Sequence, residues 1–387
     1  MPAFPAPDRH PPVAPEPAAH LSASTPEGSI YWDPNVFGAE MEKLFYRNWL
    51  CVGRDEDLPV PGDYLVRPIG NESLLFLRGT DGKVRGFYNV CRHRGTRLVT
   101  ASEGSGLRTI VCPYHSWTYG SDGRLNGAPH TRELEGFRRE EYGLVPVRMD
   151  AWGGFLWANL DPDAPALRDE YGAFFDEVSR FPIEQLRRAS RTVYEVEANW
   201  KILVENYSEC YHCAPVHPEL NRITHYLSGE NVDFFLRDGV HRKHAGGTMT
   251  FAGDYTAMTR SGYSKRPPLP GMTAEDRKQV KYWVLFPNLF FSLDPDYLMI
   301  HRTWPISPSH SRVENDFLFH PETISQPGFD ASDAVGIWDE INRQDWHVCE
   351  LAQAGTRSRM WHGGRYSEQE ALVHDFDQVV RDLMSVD

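Results

Sequence analysis

The stretches "CRHRGTRL" at 91–98 and "CPYHSW" at 112–117 decide how this chain of 387 residues is read. Each carries one cysteine and one histidine at tight spacing: Cys91-x-His93, then Cys112-x-x-His115. A single cysteine or histidine is most simply a packed core residue. Four of them in two tight pairs point to a metal. Zinc sites of the Cys2His2 type usually pair like with like and often set their histidines on a helix. Here both pairs are mixed, and both fall among β-type runs. A [2Fe–2S] centre with two thiolates on one iron and two imidazoles on the other needs one Cys and one His from each of two loops, and these two loops offer that set.

The surroundings agree. From 61 to 160 short runs such as "DYLVRPI", "SLLFLRG", "VRGFYNV", "RTIVCPY" and "GGFLWANL" are separated by Gly, Asn and Asp turns, with "GTDGKV" and "GSDGRL" as hairpin signals. The texture changes after "LDPDAPAL". Helix is predicted at 167–187, a strand at 188–202 and a helix at 201–214 stopped by Pro215. Strand-like runs return at 279–293, 297–304 and 311–320. Helices close the chain near 331–354 and 367–385, the last entered through a Ser-x-x-Glu capping box at Ser367 and Glu370.

A chain this long is expected to form two domains at roughly 100–200 residues each. The formal charge of −14 argues against nucleic acid or an anionic membrane surface as partner. Six cysteines are too few for a disulfide scaffold. With no signal-peptide core in "MPAFPAPDRHPPVAPEPAAH" and no run of about 18 apolar residues, the expected location is the cytoplasm. Residues 1–28, rich in Pro and Ala, read as a disordered or loosely docked arm.

A second constellation lies in "NWKILVENYSECYHCAPVHPEL" at 199–220. Glu209 and His212 stand three apart, as on one helical face, and His217 follows the Pro215 break. Two histidines and a carboxylate from elsewhere make a facial triad that leaves open positions on Fe(II) for dioxygen. The bland reading is a pair of solvated histidines. The carboxylate has four candidates on one downstream helix: Asp339, Glu340, Asp345 and Glu350.

Together "CRHRGTRL…CPYHSWTYGSDGRL" and Asn-Trp-Lys, Glu-Asn, Glu-x-Tyr-His-x4-His resemble the cluster loops and iron helix of Rieske non-haem iron oxygenases, large-subunit type, over most of residues 40–387. The resemblance implies an α+β fold. An N-terminal helix (29–44) packs on the catalytic domain, followed by an all-β Rieske [2Fe–2S] domain (45–165) and a helix-grip catalytic domain with mononuclear Fe(II) (166–387). It implies His212, His217 and Asp345 as iron ligands, with Glu340 the runner-up, and Asn206 beside the open iron positions. It further implies a homotrimer in which Glu209 links His212 to His115 of an adjacent subunit. Electrons would come from NAD(P)H through a separate flavin/iron–sulfur reductase, because no nucleotide-binding glycine loop is present.

Glu209, where ring-hydroxylating dioxygenases usually have Asp, resembles the members that oxidise quaternary ammonium compounds such as carnitine, glycine betaine or proline betaine. The expected reaction is O2-dependent hydroxylation with N-demethylation or C–N cleavage of such a small molecule. The alternatives are hydroxylation of an aromatic ring or aromatic acid, and, from another class, an electron-transfer protein without catalysis. Tyr282, Trp283, Phe286, Phe290, Phe291, Tyr297 and Trp304 are candidate cation–π partners, although most are expected to be sheet core. His225, His301 and Arg302 are candidates for holding a substrate carboxylate.

Overall fold

Short strands build the first half of the chain, some with alternating burial, such as Tyr64–Ile69, and some buried along their whole length, such as Leu50–Arg54 and Phe155–Asn159. The computed structural model describes residues 19–237 and 239–385, so most of the arm expected at 1–28 lies outside the described residues. Seven antiparallel strands follow the order Leu50–Arg54, Phe155–Asn159, Pro146–Trp152, Val84–Tyr88, Glu72–Arg78, Tyr64–Ile69 and Glu103–Gly104. A three-stranded sheet of Thr109–Val111, Thr118–Gly120 and Leu125–Gly127 carries the second Cys/His pair. Both Asp-Gly hairpins form, and Gly82 and Gly123 each sit at φ +81°, a left-handed conformation that only glycine adopts without strain.

The second half is one antiparallel sheet in the order Arg187–Val196, His310–Phe319, Leu298–Ser307, Leu289–Leu293, Gln279–Leu285, His244–Phe251 and Thr224–Asp233. The run read as continuous at 279–293 is two strands, broken at Phe286–Asn288 where Pro287 has no N–H for a ladder. The helix expected at 167–187 is shorter, Leu167–Glu177, with a single 3-10 turn at Ile183–Gln185. The Ser332–Gly355 helix lies against the Trp200–Tyr207 helix and the Arg187–Val196 strand. Ala371–Ser385 closes the chain; Glu370 accepts from the Ser367 backbone N–H at 2.6 Å, which is half of a capping box, and the helix begins only at Ala371.

Several polar contacts join the halves, among them Arg188–Asp57 and Lys243–Asn48. The Asn288 side-chain amide accepts from Cys51 N–H at 2.9 Å and donates to Cys51 C=O at 3.1 Å, so the edge strand Leu50–Arg54 meets the catalytic domain with the ladder groups of Cys51 satisfied. Upstream, the Pro34–Glu40 helix presents buried Glu40 to Lys201 Nζ at 2.5 Å and to Trp200 Nε1 at 2.9 Å. A charge pair this deep is tolerated because each ion has its partner and Glu40 gains a further donor. Among the described residues no helix is long and apolar enough to cross a membrane.

Candidate metal centres and active site

The two Cys/His loops close in the same way although their His spacings differ. Cys91 N–H donates to Thr96 C=O and Gly95 N–H returns to Cys91 C=O; Cys112 N–H donates to Trp117 C=O and Ser116 N–H returns to Cys112 C=O. The residue four after each cysteine takes the left-handed conformation, Gly95 at φ +69° and Ser116 at φ +58°. The thiols of Cys91 and Cys112 are buried and free, whereas His93 is exposed and His115 half-buried. The two imidazole centroids are 4.8 Å apart, and Trp117 stacks on His93 at 4.9 Å. Burial raises the Cys112 thiol, but hydrogen bonds from Tyr114 and His115 N–H and from the Cys91 side chain outweigh it and pull its pKa below the ordinary value.

Among the described residues, the sets of three donors mutually within 4.8 Å are His212/His217/Asp345 and Glu177/Asp233/His244, and the Cys91–His115 group is not one of them. One tetrahedral zinc needs all its ligands about 4 Å from one another. The looser group fits a two-iron cluster, with thiols inside and imidazoles outside.

At the second site the helix is shorter than its sequence suggests. It runs Trp200–Tyr207 and ends at Ser208, and the chain turns before Cys213–Val216 and Pro218–Ile223. Pro215 therefore lies within a short helical turn and stops nothing. Glu209 and His212 occupy the turn and share no helical face. The Glu209 carboxylate accepts from the backbone N–H groups of Tyr211 and His212 and sits 2.5 Å from His212 Nδ1. A disulfide between Cys210 and Cys213, with Cα atoms 4.9 Å apart, spans the same turn.

His217 Nδ1 is 2.7 Å from Gln344 Oε1. Both histidines thus spend Nδ1 on an oxygen and turn Nε2 toward Asp345 Oδ1, at 3.2 Å for His212 and 2.8 Å for His217. Burial disfavours a charged His212, yet its bonds to Asp345 and Glu209 lift its pKa to about 10, and bonds from both histidines hold Asp345 down at about 2. The site calls for positive charge at the point where three donor atoms meet. Two imidazoles and one carboxylate suit Fe(II) with open positions. Asn206 Nδ2 donates to Asp345 Oδ1 at 3.2 Å.

Of the other acids on that helix, Glu340 faces Arg260, Asp339 pairs with Arg343 and Tyr194, and Glu350 accepts from Glu197 N–H. Gln344 was not legible beforehand; its only signal is its place beside Asp345.

A cavity of about 100 Å³ opens on the three donors. Its lining includes Tyr207, Tyr282, Trp338 and Trp346, with Ser292, His301 and Asn342 as polar members. Of the seven aromatics singled out in the sequence, only Tyr282 lines it; Trp283, Phe286, Phe290, Phe291, Tyr297 and Trp304 are buried core. Tyr207, Trp338 and Trp346 sit on helices or their flanks, outside the aromatic run that drew attention. Among the carboxylate candidates, Arg302 is fully buried against Glu314 and Asp316, His225 is exposed away from the lining, and His301 alone reaches the cavity.

Comparison with known proteins finds both domains. Residues 48–138 match the Rieske [2Fe-2S] domain and residues 183–386 match the ring hydroxylating alpha subunit (catalytic domain). The glycine betaine monooxygenase oxygenase subunit of Pseudomonas aeruginosa is 30% identical over 370 residues, covering 88% of this chain and 84% of the relative. The carnitine monooxygenase oxygenase subunit of Escherichia coli is 37% identical over 343 residues, covering 86% and 84%. The solved structure of the quaternary ammonium Rieske monooxygenase CntA with its substrate gamma-butyrobetaine aligns at a TM-score of 0.76 with 26% identity, over 94% of this chain and 97% of that one. The chain belongs to the ring-hydroxylating alpha subunits, Rieske-type oxygenases whose cofactors are a Rieske [2Fe–2S] cluster and a mononuclear iron.

Proposed function

We propose that this protein is the oxygenase component of a monooxygenase acting on a quaternary ammonium compound. Cys91 and Cys112 hold one cluster iron and His93 and His115 the other; His212, His217 and Asp345 hold the catalytic Fe(II). When bound, the cluster supplies single electrons and the Fe(II) a site for dioxygen reduction. One methyl C–H of the substrate becomes C–OH, the second oxygen atom leaves as water, and two electrons and two protons are consumed. The N–CH2OH product releases formaldehyde and a tertiary amine; hydroxylation at another carbon next to nitrogen cleaves the C–N bond instead.

The protein's own groups prepare this chemistry. Glu209 and Gln344 fix the Nδ1 sides of His212 and His217, so that Nε2 of each is presented to the metal. Asn206 orients Asp345. A homotrimer would let the partner subunit's His115 pass electrons to Glu209 and on to His212, with a separate reductase reloading the cluster. The relatives named as oxygenase subunits support that division of labour.

The observation carrying the substrate class is the cavity lining. Four aromatic rings surround it, the acidic groups Glu209 and Asp345 border it, and none of its lining residues is Arg or Lys. Aromatic faces attract an alkylammonium that water would otherwise hold, and no Arg or Lys lines the cavity to pair with the carboxylate of an aromatic acid. The test is a screen of ammonium compounds and aromatic acids, reading formaldehyde and NAD(P)H-coupled oxygen uptake with a surrogate reductase. Turnover of ammonium compounds is expected; turnover confined to aromatic acids or methyl ethers would reject the reading.

A further inference from the structure

Among the described residues, one further trio of metal-type donors converges away from the iron site. Glu177, Asp233 and His244 each bring one donor atom to within 4.8 Å of the other two, and none of them lines the substrate cavity. Some point therefore lies within about 2.8 Å of all three atoms, and small side-chain rotations would bring each to the length of a metal bond.

The fold explains the convergence. Asp233 closes the strand Thr224–Asp233, at the edge of the second sheet, and stands opposite Gly246. His244 lies two residues before Gly246 on the neighbouring strand His244–Phe251, so both side chains leave the same face of the sheet. Glu177 is the last residue of the Leu167–Glu177 helix. Three residues before it, Phe174 sets its ring centroid 5.8 Å from that of His244, so one face of that helix supplies the carboxylate and packs the imidazole.

The protein leaves this group without partners. Asp233 Oδ2 and His244 Nδ1 are buried with no hydrogen bond, in residues only 8% and 2% exposed. Among the described residues neither Glu177 nor Asp233 forms an ion pair; Lys281, on the next strand, lies 3.5 Å from Asp276 instead. Two carboxylates brought together without a cation repel, and buried acceptors without a donor cost free energy. A divalent cation removes both costs. One imidazole with two carboxylates suits zinc better than magnesium or calcium, which prefer oxygen alone, and the absence of thiolate disfavours Cu(I). Glu177 is exposed, which gives the ion a route in and leaves a further position for water.

We infer that Glu177, Asp233 and His244 form a second metal site, for a divalent cation of the zinc type, which staples the Leu167–Glu177 helix to the sheet edge. It is independent of the substrate reading above.

The test uses the holoenzyme, with cluster and iron in place, and zinc chloride as the probe. Protein equilibrated with zinc is passed through gel filtration and analysed for zinc, iron and acid-labile sulfide. About one zinc per chain is expected on top of an undiminished iron and sulfide content. Titration calorimetry then compares the parent with Asp233→Asn, His244→Gln and Glu177→Gln. Affinity for zinc should fall about tenfold or more in each, since even groups behind a metal ligand cost that much. Zinc should also raise the thermal unfolding midpoint of the parent and not that of the variants. Because Glu177 is exposed, Glu177→Gln keeps the test open if the buried variants do not fold. Three results would overturn the inference. One is that no zinc is retained. Another is that zinc is gained only as iron is lost, which is exchange at His212, His217 and Asp345. The third is that folded Glu177→Gln protein holds zinc as tightly as the parent, which makes it an adventitious ion only.

Discussion

Glu209 grips His212 twice: one carboxylate oxygen lies 2.5 Å from Nδ1 and the other accepts the His212 backbone N–H at 3.1 Å. The residue is thus part of the turn that presents His212, its carboxylate bonded to both the ring and the backbone of that histidine. Replacing Glu209 by Ala should lower turnover by about 10–100-fold, the usual effect of removing a carboxylate behind a metal-bound histidine. The cluster's visible spectrum should be unchanged. Single-turnover stopped flow reads the decisive step, since reoxidation of the reduced cluster by substrate and oxygen should slow in parallel.

Asp345 Oδ1 faces both His212 and His217, while Glu340 reaches toward Arg260. Metal analysis should therefore give about three irons and two acid-labile sulfides per chain, from one two-iron cluster plus one mononuclear site. Asp345→Ala and His217→Ala should each fall to about two irons with sulfide retained. Glu340→Ala should keep all three, and loss of iron in that variant would reassign the third ligand.

Tyr119 OH is 3.3 Å from Cys91 Sγ and accepts from Arg92 N–H at 3.0 Å, so its own proton is free for the sulfur. Hydrogen bonds to cluster sulfurs stabilise the reduced state. Tyr119→Phe should lower the cluster's reduction potential by an amount on the order of tens of millivolts, measured by protein-film voltammetry. An unchanged potential would show that the hydroxyl does not act on the cluster.

Behind the iron turn, half-buried Glu205 and buried Asp377 are bonded by Tyr31 and Tyr366 respectively. Burial raises both carboxyls, Asp377 to about 7, and their mutual repulsion adds to the effect on Glu205. The folded state then binds more protons than the unfolded chain between about pH 4 and pH 7, so this pair makes stability fall as pH rises through that window. Asp377→Asn should flatten the fall. Urea midpoints at pH 5 and pH 7.5 check it: the variant's advantage over the parent should grow at the higher pH.

Much of this was legible in order along the chain. The mixed Cys/His pairs pointed to the cluster because ligand type and loop spacing are local properties. The Asp-Gly hairpins formed because glycine's freedom at φ > 0 is local too. The helix at 201–214 failed because Glu209 binds the backbone N–H groups that follow it, and a side chain competing for backbone donors ends a helix that propensity would extend. The aromatic run at 282–304 failed as a map of the cavity. Alternation tells which residues share a face of a sheet, while packing against helices decides which face meets the cavity.

By itself, then, the sequence determined what kinds of atoms could bind metal and in which loops, since bonding preferences travel with the residue. Only the tertiary structure decided which of four acids meets His212 and His217, because residues far apart in the chain, 217 and 345, come within 2.8 Å only when the Ser332–Gly355 helix docks on the sheet. A chain of hydrogen bonds through His301, Asn342, Tyr194 and Asp339 likewise joins residues up to 148 apart, which only the packed fold brings together.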